Sequence, residues 1–123
     1  MLETMASLLV LASGAAATGV SFQQDVLPIL NKHCVMCHVP GGAQGELELY
    51  PDAWASMVGV PSVQTSLALV EPGSPEQSYL FIKLLGTQNT VGGSGEQMPF
   101  PLPLEAGQID LIRAWIEQGA PNN

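Results

Sequence analysis

Cys34, Cys37 and His38 form the run Cys-Val-Met-Cys-His, and that spacing has a well-defined chemistry. Two thiols three residues apart on a helical turn can add to the two vinyl groups of a single porphyrin. The histidine that follows then reaches the iron from the same side. The run therefore reads as the covalent attachment site of one haem c, with His38 as the proximal metal ligand. An imidazole in that role needs its other ring nitrogen held, here by donation to a backbone carbonyl. The rival chemistries of C-x-x-C are weaker in this chain. A structural zinc site wants four protein ligands. Only Cys34, Cys37, His38 and His33 are at hand, crowded into six residues. A dithiol redox site of the thioredoxin kind wants a βαβ setting, and no part of the chain predicts one.

A haem iron with one histidine leaves a second axial position to fill. The candidates are Met36, His33, Met57 and Met98. Met36 lies inside the attachment run and points the wrong way. His33 adjoins Cys34 and cannot easily swing to the far face, so it reads as a solvent-facing histidine. Met57 falls on a short apolar segment, where a core or pocket role accounts for it. Met98 lies sixty residues beyond His38, in a long loop, with Pro99 stiffening the chain beside it. A thioether that meets iron from the far side must be held by such a loop, although plain apolar packing would also account for Met98.

The elements that position these residues are helical. Ser21 caps a first helix, with Gln24 completing a capping box and Phe22, Val26, Ile29 and Leu30 forming its apolar stripe. Pro28 either occupies the first turn of a helix capped by Asp25 or kinks one begun at Ser21. Residues 39–50 form a glycine-containing loop, in which Leu47 and Leu49 alternate with Glu46 and Glu48 as in a short extended segment. A short helix is expected at 51–58, with Pro51 in its first turn. Residues 74–86 carry strong helix signals: Ser74 as cap, Pro75 at the first position, and Gly86 as the stop. Residues 87–103 form a long loop rich in Gly and Pro, of a kind usually kept for function. The last helix spans about 105–118 and ends at Gly119, with Ile109, Ile112, Trp115 and Ile116 inward.

The whole chain has 123 residues, enough for one domain and not for two cores. It carries 3 Lys and Arg against 11 Asp and Glu, a net charge of −8, which argues against nucleic acid and anionic membrane surfaces as partners. A hydrophobic content of 46% is too high for a disordered acidic tail. Both cysteines belong to one motif, so a long-range disulfide does not supply the stability a small core lacks; a bound cofactor would. Residues 1–20 resemble a secretory leader: an apolar centre over 5–17, then an Ala-x-Ala pattern at Ala15–Ala17, without a basic n-region. The apolar run is shorter than the roughly 20 residues of a spanning helix. The expected organisation is a leader at 1–20 and a monohaem domain at 21–123, exported to the periplasm or its equivalent. An uncleaved N-terminus or a partner would give it membrane association.

The order of motifs across 21–120 resembles the class I cytochromes c, and among them bacterial monohaem domains. The matching residues are Phe22 with Asp25 to Leu30, Cys34 to His38, Pro72 to Ser78, Met98-Pro99 and Trp115 to Ala120. The resemblance implies an all-α cytochrome c-like fold, about four helices with long loops around one haem. It implies His38 and Met98 as the axial metal ligands. It also implies that the first and last helices cross, with Trp115 near the first helix and the haem. One departure is Phe100, which stands where the family often has a second proline.

The function expected on this basis is one-electron transfer between redox donor and acceptor proteins, with no enzyme activity and no small-molecule substrate. An apolar shell of Phe22, Val26, Leu30, Leu80, Leu84, Phe100 and Trp115 would favour the reduced state. A haem-relay subunit of a larger membrane complex is the alternative, and a ligand-binding or catalytic domain with a displaceable Met98 is a further one. The net charge predicts a partner with a basic or an apolar docking face.

Overall fold

The computed structural model describes residues 19–38 and 47–123, apart from the side chain of Met36. Nearly all of the expected leader, and most of the glycine-containing loop expected at 39–50, lie outside the described residues. Among those residues the fold is all-α, with four α-helices, short 3-10 turns, three isolated bridges and no strand. The helices are α1 (Leu27–His33), α2 (Ala53–Met57), α3 (Tyr79–Leu85) and α4 (Ala106–Glu117). None of them is long and apolar enough to cross a membrane.

Both expected entries to α1 prove partly right. Ser21 Oγ accepts from the Gln24 N–H at 3.0 Å, while Asp25 Oδ2, and not Gln24, accepts from the Ser21 N–H at 2.8 Å. Between Ser21 and α1 the residues Phe22–Val26 form one wide π-turn. Pro28 then falls in the first turn of α1, where its missing N–H costs nothing. α2 begins later than Pro51, because Asp52 supplies the cap and its Oδ1 accepts from the Ala55 N–H at 3.0 Å.

The helix expected over 74–86 is split. Residues Pro75–Gln77 form a 3-10 turn, Ser78 is extended, and α3 starts only at Tyr79. The buried Ser78 hydroxyl explains the break, since it accepts from the Glu71 N–H and donates to the Ser74 carbonyl, each at 2.8 Å. Its two successors are also claimed from outside: the Tyr79 and Leu80 N–H groups donate to the carbonyls of Ala68 and Leu69, both at 2.9 Å. Local serine bonding and a neighbouring loop thus outcompete one continuous helix. Gly86 ends α3 as expected, at a φ of +76°. The expected structureless stretch after it contains a 3-10 turn, Gln88–Val91.

α4 has a complete capping box, Glu105 with Gln108. Its Ile112, Trp115 and Ile116 are buried. The Trp115 ring lies 5.1 Å from the Phe22 ring, so the last helix packs on the turn that leads into α1. Trp115 Nε1 donates to the Pro121 carbonyl at 2.8 Å, which satisfies the polar edge of a fully buried ring.

Candidate functional site

The attachment run is a direct continuation of α1. The Cys34 N–H donates to the Leu30 carbonyl at 2.9 Å, closing the helix. A 3-10 turn, Val35–Cys37, follows, and the His38 N–H donates to the Val35 carbonyl at 3.0 Å. Cys34 is half-buried, Cys37 is exposed, and both thiols are free. Burial, and secondarily the neighbouring Cys37, pushes the Cys34 thiol up to about 11, so it is protonated at neutral pH.

His38 is half-buried, and its Nδ1 lies 3.2 Å from the Leu47 carbonyl oxygen. With the proton on Nδ1, the ring donates to that carbonyl and keeps an Nε2 lone pair free for a metal. This is the backbone partner that the motif called for. The Leu49 N–H in turn donates to the His38 carbonyl, so segment 47–49 is tied to both ends of the histidine.

Met98 arrives from the other side of the sequence on a loop bound to the end of α3. Its N–H donates to the Lys83 carbonyl at 3.0 Å. Gln97 Nε2 donates to the Leu84 carbonyl at 2.9 Å, and Lys83 Nζ donates to the Ser94 carbonyl at 2.8 Å. From the 3-10 turn, Gln88 Nε2 reaches the Gly95 carbonyl at 2.8 Å. The loop that carries the thioether is therefore held by four hydrogen bonds from one side.

These segments meet around a single cavity of about 450 Å³. Cys34, Cys37, His38 and Met98 all line it, with Leu47, Leu49, Leu69, Leu80, Leu84, Pro99 and Phe100 among its apolar wall. The volume is in the range of cofactor sites, about 300–1,000 Å³. Polar groups gather elsewhere on the wall, at Ser62, Gln64, Tyr79, Lys83 and Glu96. The Tyr79 hydroxyl donates to Gln64 Oε1, and Gly93 is required beside it, since a Cβ there would fall 2.1 Å from the hydroxyl oxygen. Burial raises the Tyr79 phenol above its ordinary range and lowers the Lys83 ammonium below its own.

Several expectations are corrected at this point. Of the expected apolar shell, Leu80, Leu84 and Phe100 line the cavity, whereas Phe22, Val26, Leu30 and Trp115 belong to the core behind it. Packing decides this for Phe22 and Trp115, whose rings lie against each other 5.1 Å apart between the first turn and α4. The places are taken by Leu47, Leu49 and Leu69. The first two had shown an alternating pattern, and Leu69 had shown none. His33 is not solvent-facing; it is half-buried, lines the cavity and lies 3.5 Å from Gln108 through Nε2. Met57 is fully buried in the core and does not line the cavity.

The donors fit a haem better than a bare ion. Among the described residues no three His, Cys, Asp or Glu side chains are grouped to hold a metal, so the zinc alternative finds no ligand set. A flat apolar macrocycle tied through sulfur suits the same residues: two thiols on one turn, an imidazole with an oriented Nε2, a thioether and a leucine-rich wall.

Comparison with protein-family models, with curated proteins and with solved structures returned no match.

Proposed function

We propose that the chain is a one-electron carrier of the cytochrome c type, with one haem c bound through Cys34 and Cys37 and with His38 and Met98 as axial ligands. The observation that carries this reading is the convergence of those four residues on one cavity, although sixty residues separate the last two. The haem supplies an iron that alternates between Fe(II) and Fe(III).

The chain's own groups would set when that exchange is favourable. Leu47 holds the His38 ring through Nδ1, which orients Nε2 and fixes its basicity. Met98 offers a neutral, polarisable sulfur, and thioether ligation favours the reduced state and raises the potential. Leu49, Leu80 and Leu84 keep water from the more highly charged ferric form. Of the three Lys and Arg side chains only Lys83 lines the cavity, so its ammonium is the counter-charge available to the cofactor's carboxylates. Arg113 is occupied instead by Glu76 at 3.4 Å and Glu117 at 3.3 Å.

With imidazole and thioether both bound, no position remains for a substrate, so this reading assigns no enzyme activity. Donor and acceptor proteins are its partners. Phe100, 64% exposed and lining the cavity, offers them an apolar contact at its mouth. The leader-like residues 1–20 support export. The relay-subunit alternative uses the same site and differs in whether a partner is permanently bound.

The deciding experiment is expression with a c-type haem maturation system, followed by denaturing gels stained for haem and by optical spectra. Wild type is expected to keep haem under denaturation, and a Cys34→Ala/Cys37→Ala double variant to lose it. A wild-type chain that takes up no haem would end the proposal.

A further inference from the structure

The last carbonyls of any α-helix lack partners within the helix. In α3 two of them are spent on the loop that carries Met98: Lys83 accepts from the Met98 N–H at 3.0 Å, and Leu84 accepts from Gln97 Nε2 at 2.9 Å. The second bond depends on a close approach. Gly86 follows α3 at a φ of +76°, and a Cβ built there would sit 3.0 Å from Gln97 Cδ and 3.1 Å from its Oε1. The Gln97 side chain therefore lies flat over the one residue of the helix end that has no side chain.

We propose that Gln97 is a positioning residue for the thioether of Met98, and that Gly86 is the seat on which it rests. The inference depends on the His38 and Met98 ligation proposed above. Gln97 does not line the cavity; it acts through its neighbour in the chain. A thioether is a neutral, weak donor, so its hold on iron depends on how much of the time the loop stands closed. That closed fraction is what an added ligand competes against. Gln97 stabilises the closed loop from the residue immediately before the ligand, where its side-chain bond to Leu84 reinforces the Met98 N–H bond to Lys83. Gln88, which reaches Gly95, supports the loop further back and has less leverage on the sulfur.

The test is imidazole binding to the ferric haem-loaded protein, read together with the long-wavelength ferric band of methionine ligation. Gln97→Leu and Gln97→Glu differ in shape and charge and share only the lost donor. Both are expected to bind imidazole roughly fivefold more tightly than wild type, the effect of one ordinary hydrogen bond on the open-to-closed ratio. Both should also show a weakened band. Trp54→Phe is the control for simple destabilisation. It removes the 2.9 Å bond from Trp54 Nε1 to the Ala120 carbonyl, so it should lower the unfolding temperature and leave imidazole affinity unchanged. Gly86→Ala should tighten imidazole binding in the same direction as the Gln97 variants. If both Gln97 variants bind imidazole as wild type does, while Met98→Ala abolishes the band, the positioning role is overturned and the ligation reading stands. If Met98→Ala leaves the band intact, the ligation reading falls and the inference with it.

Discussion

His38 Nδ1 lies 3.2 Å from the carbonyl oxygen of Leu47, nine residues further along the chain. The contact links the attachment turn to segment 47–49, whose Leu47 and Leu49 side chains form part of the cavity wall. It also decides the tautomer, because a carbonyl only accepts. In the reduced, diamagnetic protein the ring proton should therefore appear on Nδ1 and exchange slowly with solvent. Proton–nitrogen correlation spectra of the imidazole check this. A proton on Nε2, or one that exchanges at the rate of a free imidazole, would contradict the assignment.

The second axial position makes its own prediction. Met98→Ala should abolish the ferric band of methionine ligation, lower the midpoint potential, and open the ferric site to imidazole and cyanide. Spectra and a redox titration of the same sample measure all three. Met57→Ala should leave the band unchanged, because Met57 is buried in the core away from the cavity. It should still cost stability, about 2–5 kcal/mol for a buried methionine.

The burial of Cys34 gives a pH dependence that exists only before haem is attached. The thiol's ordinary value of 9.0 is raised to about 11 in the fold. The protonated form is thus favoured by folding, and this stability is complete below pH 9. It is lost as pH climbs from 9 to 11, by roughly 2–3 kcal/mol in all. Urea unfolding of the haem-free chain should show that decline, and Cys34→Ala should flatten it. Alkylation gives an independent measurement: Cys37 is exposed and should react first, with the Cys34 rate still rising above pH 10 because the thiolate is the nucleophile. A Cys34 rate that levels off by pH 9 would count against the burial argument. Thioether formation removes the titration altogether.

Phe22 separates core from cofactor wall. Its ring is 2% exposed and packs on Trp115, with no part in the cavity lining. Phe22→Ala should therefore cost about 3–5 kcal/mol of stability. The haem spectrum and midpoint potential of the folded fraction should stay near wild type. Leu80→Ala lines the cavity and should shift the potential as well. Equal potential shifts in the two variants would show that Phe22 belongs to the wall after all.

The contrast marks how far the sequence alone could be read. Helix stops were legible at Gly86 and Gly119, because these signals act within a few residues, whereas the Glu105 capping box of α4 was not read. The attachment motif was legible for the same reason. The break at Ser78 was not, since its cause is a hydroxyl bonded to Glu71 and two N–H groups spent on Ala68 and Leu69, partners that only the fold brings near. The cavity wall was half legible. Leu80 and Leu84 announce themselves by helical spacing, but Leu69 sits in an irregular loop where no period exists to be read. Phe22 and Trp115 pack on each other and do not line the cavity; apolar periodicity says that a side is buried and not what covers it, and only the resemblance placed Trp115 near a haem.

Surface charge and the exposed phenylalanine together predict how electrons pass between molecules. A chain with net charge −8 repels a second copy of itself, and the repulsion is screened over about 10 Å at 0.1 M salt. Electron self-exchange, measured from NMR line broadening in mixtures of oxidised and reduced protein, should therefore speed up several-fold from low to moderate ionic strength. Phe100 stands 64% exposed and also lines the cavity, so two copies that approach there bring their cofactors nearest and bury apolar surface. Phe100→Ser should slow self-exchange at every ionic strength while keeping the salt dependence, because it removes contact area and no charge. Phe100→Glu should slow it further at low salt, and the two variants should converge at high salt, where only the lost apolar contact remains. If Phe100→Ser exchanged as fast as wild type, the contact face would lie elsewhere on the molecule.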